Sequence, residues 1–126
     1  MERDSVSLDT RSMIANRLSA LRIRFLDVLE IRMTECEALR DSLEAGTLPE
    51  ADRVGAVRAI CFAAHKTVGV AATLGFADLG MLSQRVELAA TDYIDRSEPP
   101  TTVRMVVSLA DDMLGEMALI LAEAGR

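Results

Sequence analysis

The sequence predicts an all-α protein, an antiparallel up-down-up-down four-helix bundle with room for a short extra helix at its N-terminus. Three observations lead there. Half of the 126 residues are hydrophobic, yet they include one Tyr, three Phe and no Trp, so Ala, Leu, Val and Met must fill the interior. That composition favours helices, because strands draw on aromatic and β-branched residues. Strong breakers cluster in only three places, residues 46–49, 75–80 and 97–100. Between them, apolar residues recur at spacings of three and four, the pattern of an amphipathic helix. A chain of this length fits one domain, expected over residues 9–126 behind a flexible tail of residues 1–8.

The first segment, residues 9–45, places Leu18, Leu21, Phe25, Val28, Leu29, Cys36, Leu39 and Leu43 on one face, with Arg22, Arg24, Asp27, Glu30, Arg32, Glu35 and Arg40 in the intervening positions. As one helix it would reach about 55 Å. A break near residues 16–19 is therefore expected to set off the short leading helix. Gly46 is a good C-terminal stop, and Thr47-Leu48-Pro49-Glu50 offers a capping residue, an early Pro and a Glu three positions on. The second helix should begin near Pro49 and run to about Thr73, with Val54, Val57, Ile60, Cys61, Ala64, Val68 and Ala71 or Ala72 as a narrow apolar stripe.

Gly75 reads as a left-handed cap ending that helix, and Asp78 as part of the opening of the third. This third helix starts near Ala77, carries Leu79, Leu82, Val86, Ala89, Ala90 and Tyr93, and should end around Asp95. Pro99 and Pro100 stand where a fourth helix can begin, with Val103, Val106, Val107, Ala110, Met113, Leu114, Met117, Ile120 and Leu121 as its apolar face. Connections of a few residues favour antiparallel neighbours.

A net charge of -6, from 14 Lys and Arg against 20 Asp and Glu, speaks against nucleic acid as a partner, since such proteins normally show a basic surplus. The first eight residues lack the apolar core of a signal peptide, and no apolar stretch is expected to reach the roughly 20 residues that span a bilayer. A cytoplasmic monomer without membrane contact is the expectation. Cys36 and Cys61 are too few and too far apart for a metal motif and read as core-filling thiols.

The candidate for chemistry is His65, the only histidine, followed four residues later by Gly69. A glycine inside a helix costs about 1 kcal/mol relative to alanine, so something must offset it. Helical side chains lean toward the N-terminus, and whatever occupies position 69 would lie over the turn that bears the imidazole. No second imidazole or clustered Cys accompanies His65 to hold a metal, and no Ser or Cys sits in a nucleophile elbow. What remains is the imidazole itself as nucleophile. Neutral near pH 7 with a reference pKa of about 6.5, it can attack phosphorus and form a phosphoramidate.

Residues 64–87, AHKTVGVAATLGFADLGMLSQRVE, resemble the signature of the histidine-containing phosphotransfer (HPt) domain. The matching positions are Ala64-His65, Gly69, Gly75, Leu79, Leu82 and Val86-Glu87. The resemblance implies a phosphorelay intermediate of a two-component pathway. His65 would take a phosphoryl group from a receiver-domain aspartate and pass it to another, with response-regulator receiver domains and a hybrid histidine kinase as partners. The chain would bind no cofactor, Mg²⁺ being expected in the partner receiver, and would have no turnover of its own.

Gly69 would clear room for the incoming active site. Many family members carry a Lys three residues after the His, where this chain has Val68, so Lys66 and Arg58 are the candidates to support the phosphoryl oxygens. Ala72 and Phe76 would form the docking patch, and Phe62 is expected in the core. The alternative is a helical adaptor that binds a signalling partner without phosphotransfer. A dimeric histidine kinase core would need an ATP-binding domain for which no phosphate loop is present.

Overall fold

The computed structural model describes residues 2–96 and 98–126, which form four helices: α1 (Glu2–Glu44), α2 (Glu50–Thr73), α3 (Ala77–Asp95) and α4 (Val103–Glu123). Cross-helix contacts fix their directions. Arg22 meets Leu74 and Arg32 meets Thr67, so α1 and α2 run antiparallel. Cys61 and His65 both meet Glu87 on α3, and Arg40 meets Asp111 on α4 while Arg126 meets Asp27. Each helix packs on its neighbours in the chain, and α4 closes the ring against α1. This is the expected up-down-up-down bundle.

The core is aliphatic, as the composition requires. Leu29, Cys36 and Leu43 of α1 meet Val57, Ile60, Ala64 and Ala71 of α2, Leu79, Val86 and Ala90 of α3, and a run from Val106 to Leu121 of α4. Burial pushes the Cys36 thiol up to about 11, so it stays protonated and acts as a small hydrophobe. Cys61 is only half-buried, its Sγ near the Glu87 carbonyl. The expectation that no stretch reaches membrane-spanning apolarity is corrected at α2, which is long and apolar enough by length and composition. Its apolar face nevertheless packs in the core.

Three boundaries differ from expectation. α1 is one continuous helix from Glu2, so neither a separate leading helix nor a break at residues 16–19 forms, and residues 2–8 continue the helix instead of forming a tail. Leu18, Leu21 and Val28, expected on the buried face, are exposed: Leu18 and Leu21 because the N-terminal half of α1 outruns the bundle, and Val28 because it walls an open groove between α1 and α2. Pro49 itself is the N-cap of α2, with no side-chain hydrogen bond from Thr47 or any other cap. α4 begins after Thr102, whose hydroxyl accepts from the Met105 N–H at 3.2 Å, leaving Pro99 and Pro100 in the connection.

Two glycines shape the α2–α3 pair. Gly75 has φ +90, the left-handed cap expected of it. A Cβ at Gly80 would stand 3.4 Å from the Val68 carbonyl oxygen, so its absence lets α3 lie close against α2. Ser83, fully buried on the same helix, has no hydrogen-bond partner for its hydroxyl. Ser83→Ala is accordingly expected to raise stability by about 1 kcal/mol in urea unfolding, since an unpaired buried hydroxyl is a desolvation penalty.

Candidate functional site

His65 follows the buried Ala64 and so points about 100° away from the core. Its side chain is 69% exposed. Across the close α2–α3 contact, Glu87 follows the buried Val86 and brings Oε1 within 2.9 Å of His65 Nδ1. An ionised carboxylate only accepts hydrogen bonds, so Nδ1–H donates to Glu87. That contact sets the tautomer and the ring orientation. It leaves the lone pair on Nε2, which has no hydrogen-bond partner among the described residues. The ring is therefore held from behind and open in front.

One turn on, a Cβ built at Gly69 meets no neighbouring atom within 4 Å. The protein's own packing does not ask for glycine there, and the space above the imidazole is open. His65 and Gly69 form a ridge between two grooves. One, of about 720 Å³, lies between α1 and α2 and is walled by apolar side chains including Leu21, Val28 and Val70. The other lies between α2 and α3, walled by Val68, Gln84, Glu87 and Leu88.

The cations at this ridge differ in part from those expected. Lys66 lines the α1–α2 groove with His65, its ammonium 4.3 Å from the centre of the Phe62 ring. Arg58 is exposed and lines neither groove. Arg32 and Arg24, reaching in from α1, were not among the candidates. Arg32 is half-buried, donates from Nη1 to the Thr67 hydroxyl at 2.9 Å, and has no ion-pair partner among the described residues. Desolvation lowers its pKa, but a guanidinium remains charged. Thr67 in turn donates to the Ala63 carbonyl at 2.8 Å, so its buried hydroxyl is fully paired. The groove thus holds a half-buried cation whose hydrogen-bond partner is the neutral Thr67, with Glu35 acting on it only through charge.

The expected docking residues are dispersed. Ala72 is exposed and sits against Gly80 at the α2–α3 contact. Phe76 stacks on Phe25 with ring centroids 5.7 Å apart and lines a separate groove with Glu116 and Ile120 of α4. Phe62, expected in the core, is 61% exposed. Its position one turn before Lys66 sets it on the outer face of α2. Among the described residues, no three His, Cys, Asp or Glu side chains gather as a metal site.

Glu87 and Arg32 are the functional candidates that sequence reasoning left unassigned. Glu87 closes the quoted motif, but it lies 22 residues from His65, and only the register of α3 on α2 reveals the pairing. Arg32 carried a readable signal, a charge in helical register with Phe25 and Cys36 on the apolar face of α1. No family model, curated protein or solved structure matches this chain.

Proposed function

We propose that this protein is a phosphoryl carrier of a two-component phosphorelay, accepting the group on His65 Nε2 from a receiver-domain aspartate and passing it to another receiver. The observation that carries the reading is an exposed imidazole whose Nδ1–H is held by Glu87, with Nε2 free and no side chain over it at Gly69. In the forward step the Nε2 lone pair forms a bond to phosphorus as the acyl phosphate P–O bond breaks, its electrons returning to the aspartate carboxylate. The ring gains positive charge as that bond forms. Glu87 balances the charge through the Nδ1–H hydrogen bond. Arg32 and Lys66, in the adjoining groove, supply positive potential for the phosphoryl oxygens.

The magnesium ion that such a transfer uses belongs to the receiver. The carrier needs orientation and electrostatics alone, and it would act in the cytoplasm, with the receiver of a hybrid histidine kinase and a response regulator as its alternating partners. An adaptor that had lost phosphotransfer has no use for an oriented, uncovered imidazole.

The test is incubation with a receiver domain phosphorylated on aspartate, in Mg²⁺, followed by mapping of the label. The expected product is an acid-labile, alkali-stable adduct on His65. Label that does not move, or that settles on another residue, overturns the proposal.

A further inference from the structure

The N-terminal half of α1 extends past the end of the bundle. Arg22 ties the helix to the α2–α3 turn, its Nε donating to the Leu74 carbonyl at 2.8 Å. Residues 8–21 lie beyond that tie, roughly 20 Å of helix at 1.5 Å per residue, and every one of them is exposed. Ile14, Leu18, Leu21, Phe25 and Val28 follow one another at spacings of four, three, four and three along this arm and into the bundle. That is the spacing of an a/d seam, by which one helix packs on another, while Leu8, Met13 and Ile23, also exposed on α1, fall off this line and form no continuous face with it. Ile14, Leu18, Leu21 and Val28 are 55%, 37%, 43% and 43% exposed.

The rim of the seam says what covers it. With Leu18 and Phe25 at a and Leu21 and Val28 at d, Arg17 and Arg24 flank one side and Arg22 the other, while Arg11, seven residues before Leu18, ends the apolar seam. Residues 9–26 hold four arginines against one aspartate, in a chain whose net charge is -6. Two copies joined arm to arm would set arginine against arginine at the flanking positions that govern partner choice. An acid-flanked helix would be matched along the whole seam. The seam also enters the groove between α1 and α2, where Leu21, Phe25 and Val28 face Val70 and Leu74. A single helix can follow that path into the groove, whereas a flat lipid surface cannot.

We propose that the α1 seam is a docking site for one amphipathic helix of a partner protein, with aliphatic residues in its core positions and Asp or Glu on its flanks. The seam's inner end shares the α1–α2 groove with His65 and Lys66, but its outer end, Ile14 and Leu18, lies clear of them, and the test reads helix binding without phosphotransfer. Two synthetic four-heptad peptides, with Leu at the core positions and either Glu or Lys at the flanking ones, are titrated with the full chain by fluorescence anisotropy. The Glu peptide is expected to bind about tenfold more tightly, given several flanking ion pairs, with a preference that shrinks as salt rises.

Leu18→Asp with Leu21→Asp, at exposed positions, should abolish binding while leaving thermal unfolding unchanged. Arg17→Glu with Arg24→Glu should reverse the preference. The proposal is overturned by equal binding or no binding of the two peptides, or by binding that survives the Leu18 and Leu21 changes. It is equally overturned by a dimer in sedimentation that those changes dissolve, which would make a second copy the occupant, or by their abolishing co-sedimentation with phosphatidylglycerol vesicles when neither peptide binds.

Discussion

Replacing His65 with glutamine is expected to leave the fold intact and to abolish phosphoryl uptake from a labelled receiver. The side chain is 69% exposed, and substitutions at such positions shift stability by no more than about 0.5 kcal/mol. A glutamine amide offers hydrogen bonds but no nucleophilic nitrogen. A graded loss should accompany changes at Glu87. Glu87→Ala removes the acceptor that holds Nδ1–H at 2.9 Å, so the ring loses both its fixed tautomer and the negative charge behind it. A misplacement of about 1 Å in a reacting group can cost roughly 10²-fold, and a fall of up to that order is expected for the transfer rate. Glu87→Gln keeps an acceptor without the charge and should fall between the alanine variant and the native protein. Single-turnover label transfer, with thermal unfolding as the folding control, separates these cases. A Glu87→Ala protein that transfers at the native rate would remove Glu87 from the mechanism.

How far the sequence foretells this molecule depends on whether a feature is local. The helices and their inner faces are legible because the 3.6-residue period is written within each segment, as in Leu79, Val86 and Ala90 of α3, all fully buried. The same period misleads in α1. Leu18 and Leu21 repeat the pattern of Leu29 and Leu43, yet periodicity tells which face is apolar and not whether anything covers it. The expected break at residues 16–19 was inferred from length alone, and no Gly or Pro stands there to cause it.

The site divides in the same way. His65 and Gly69 lie one turn apart, and their relation follows from helix geometry. Glu87 reaches His65 only through the register of two helices brought close at Gly80. Arg32 was visible as a charge intruding on an apolar stripe, a pattern that marks a cation turned toward something other than water.

Gly69→Ala is expected to make the protein more stable and a poorer phosphoryl carrier, two effects of opposite sign from one methyl group. Alanine at a helix interior is favoured over glycine by about 1 kcal/mol, and nothing within 4 Å of position 69 opposes the added carbon. The midpoint of urea unfolding should therefore rise. The same methyl leans toward the turn that bears His65, into the space an incoming phosphoryl donor must occupy. A displacement of about 1 Å in a reacting pair can slow transfer roughly 10²-fold. Gly55 of α2 and Gly115 of α4 are matched controls, since each is helical and equally open. Alanine at either should stabilise by a similar amount and leave transfer unchanged, because neither lies beside the imidazole. If the position 69 variant transferred as fast as these two, clearance for a partner would not be the reason a helix carries glycine there. If it alone lost transfer while gaining stability, the unfavourable helical glycine would be explained by the partner's approach.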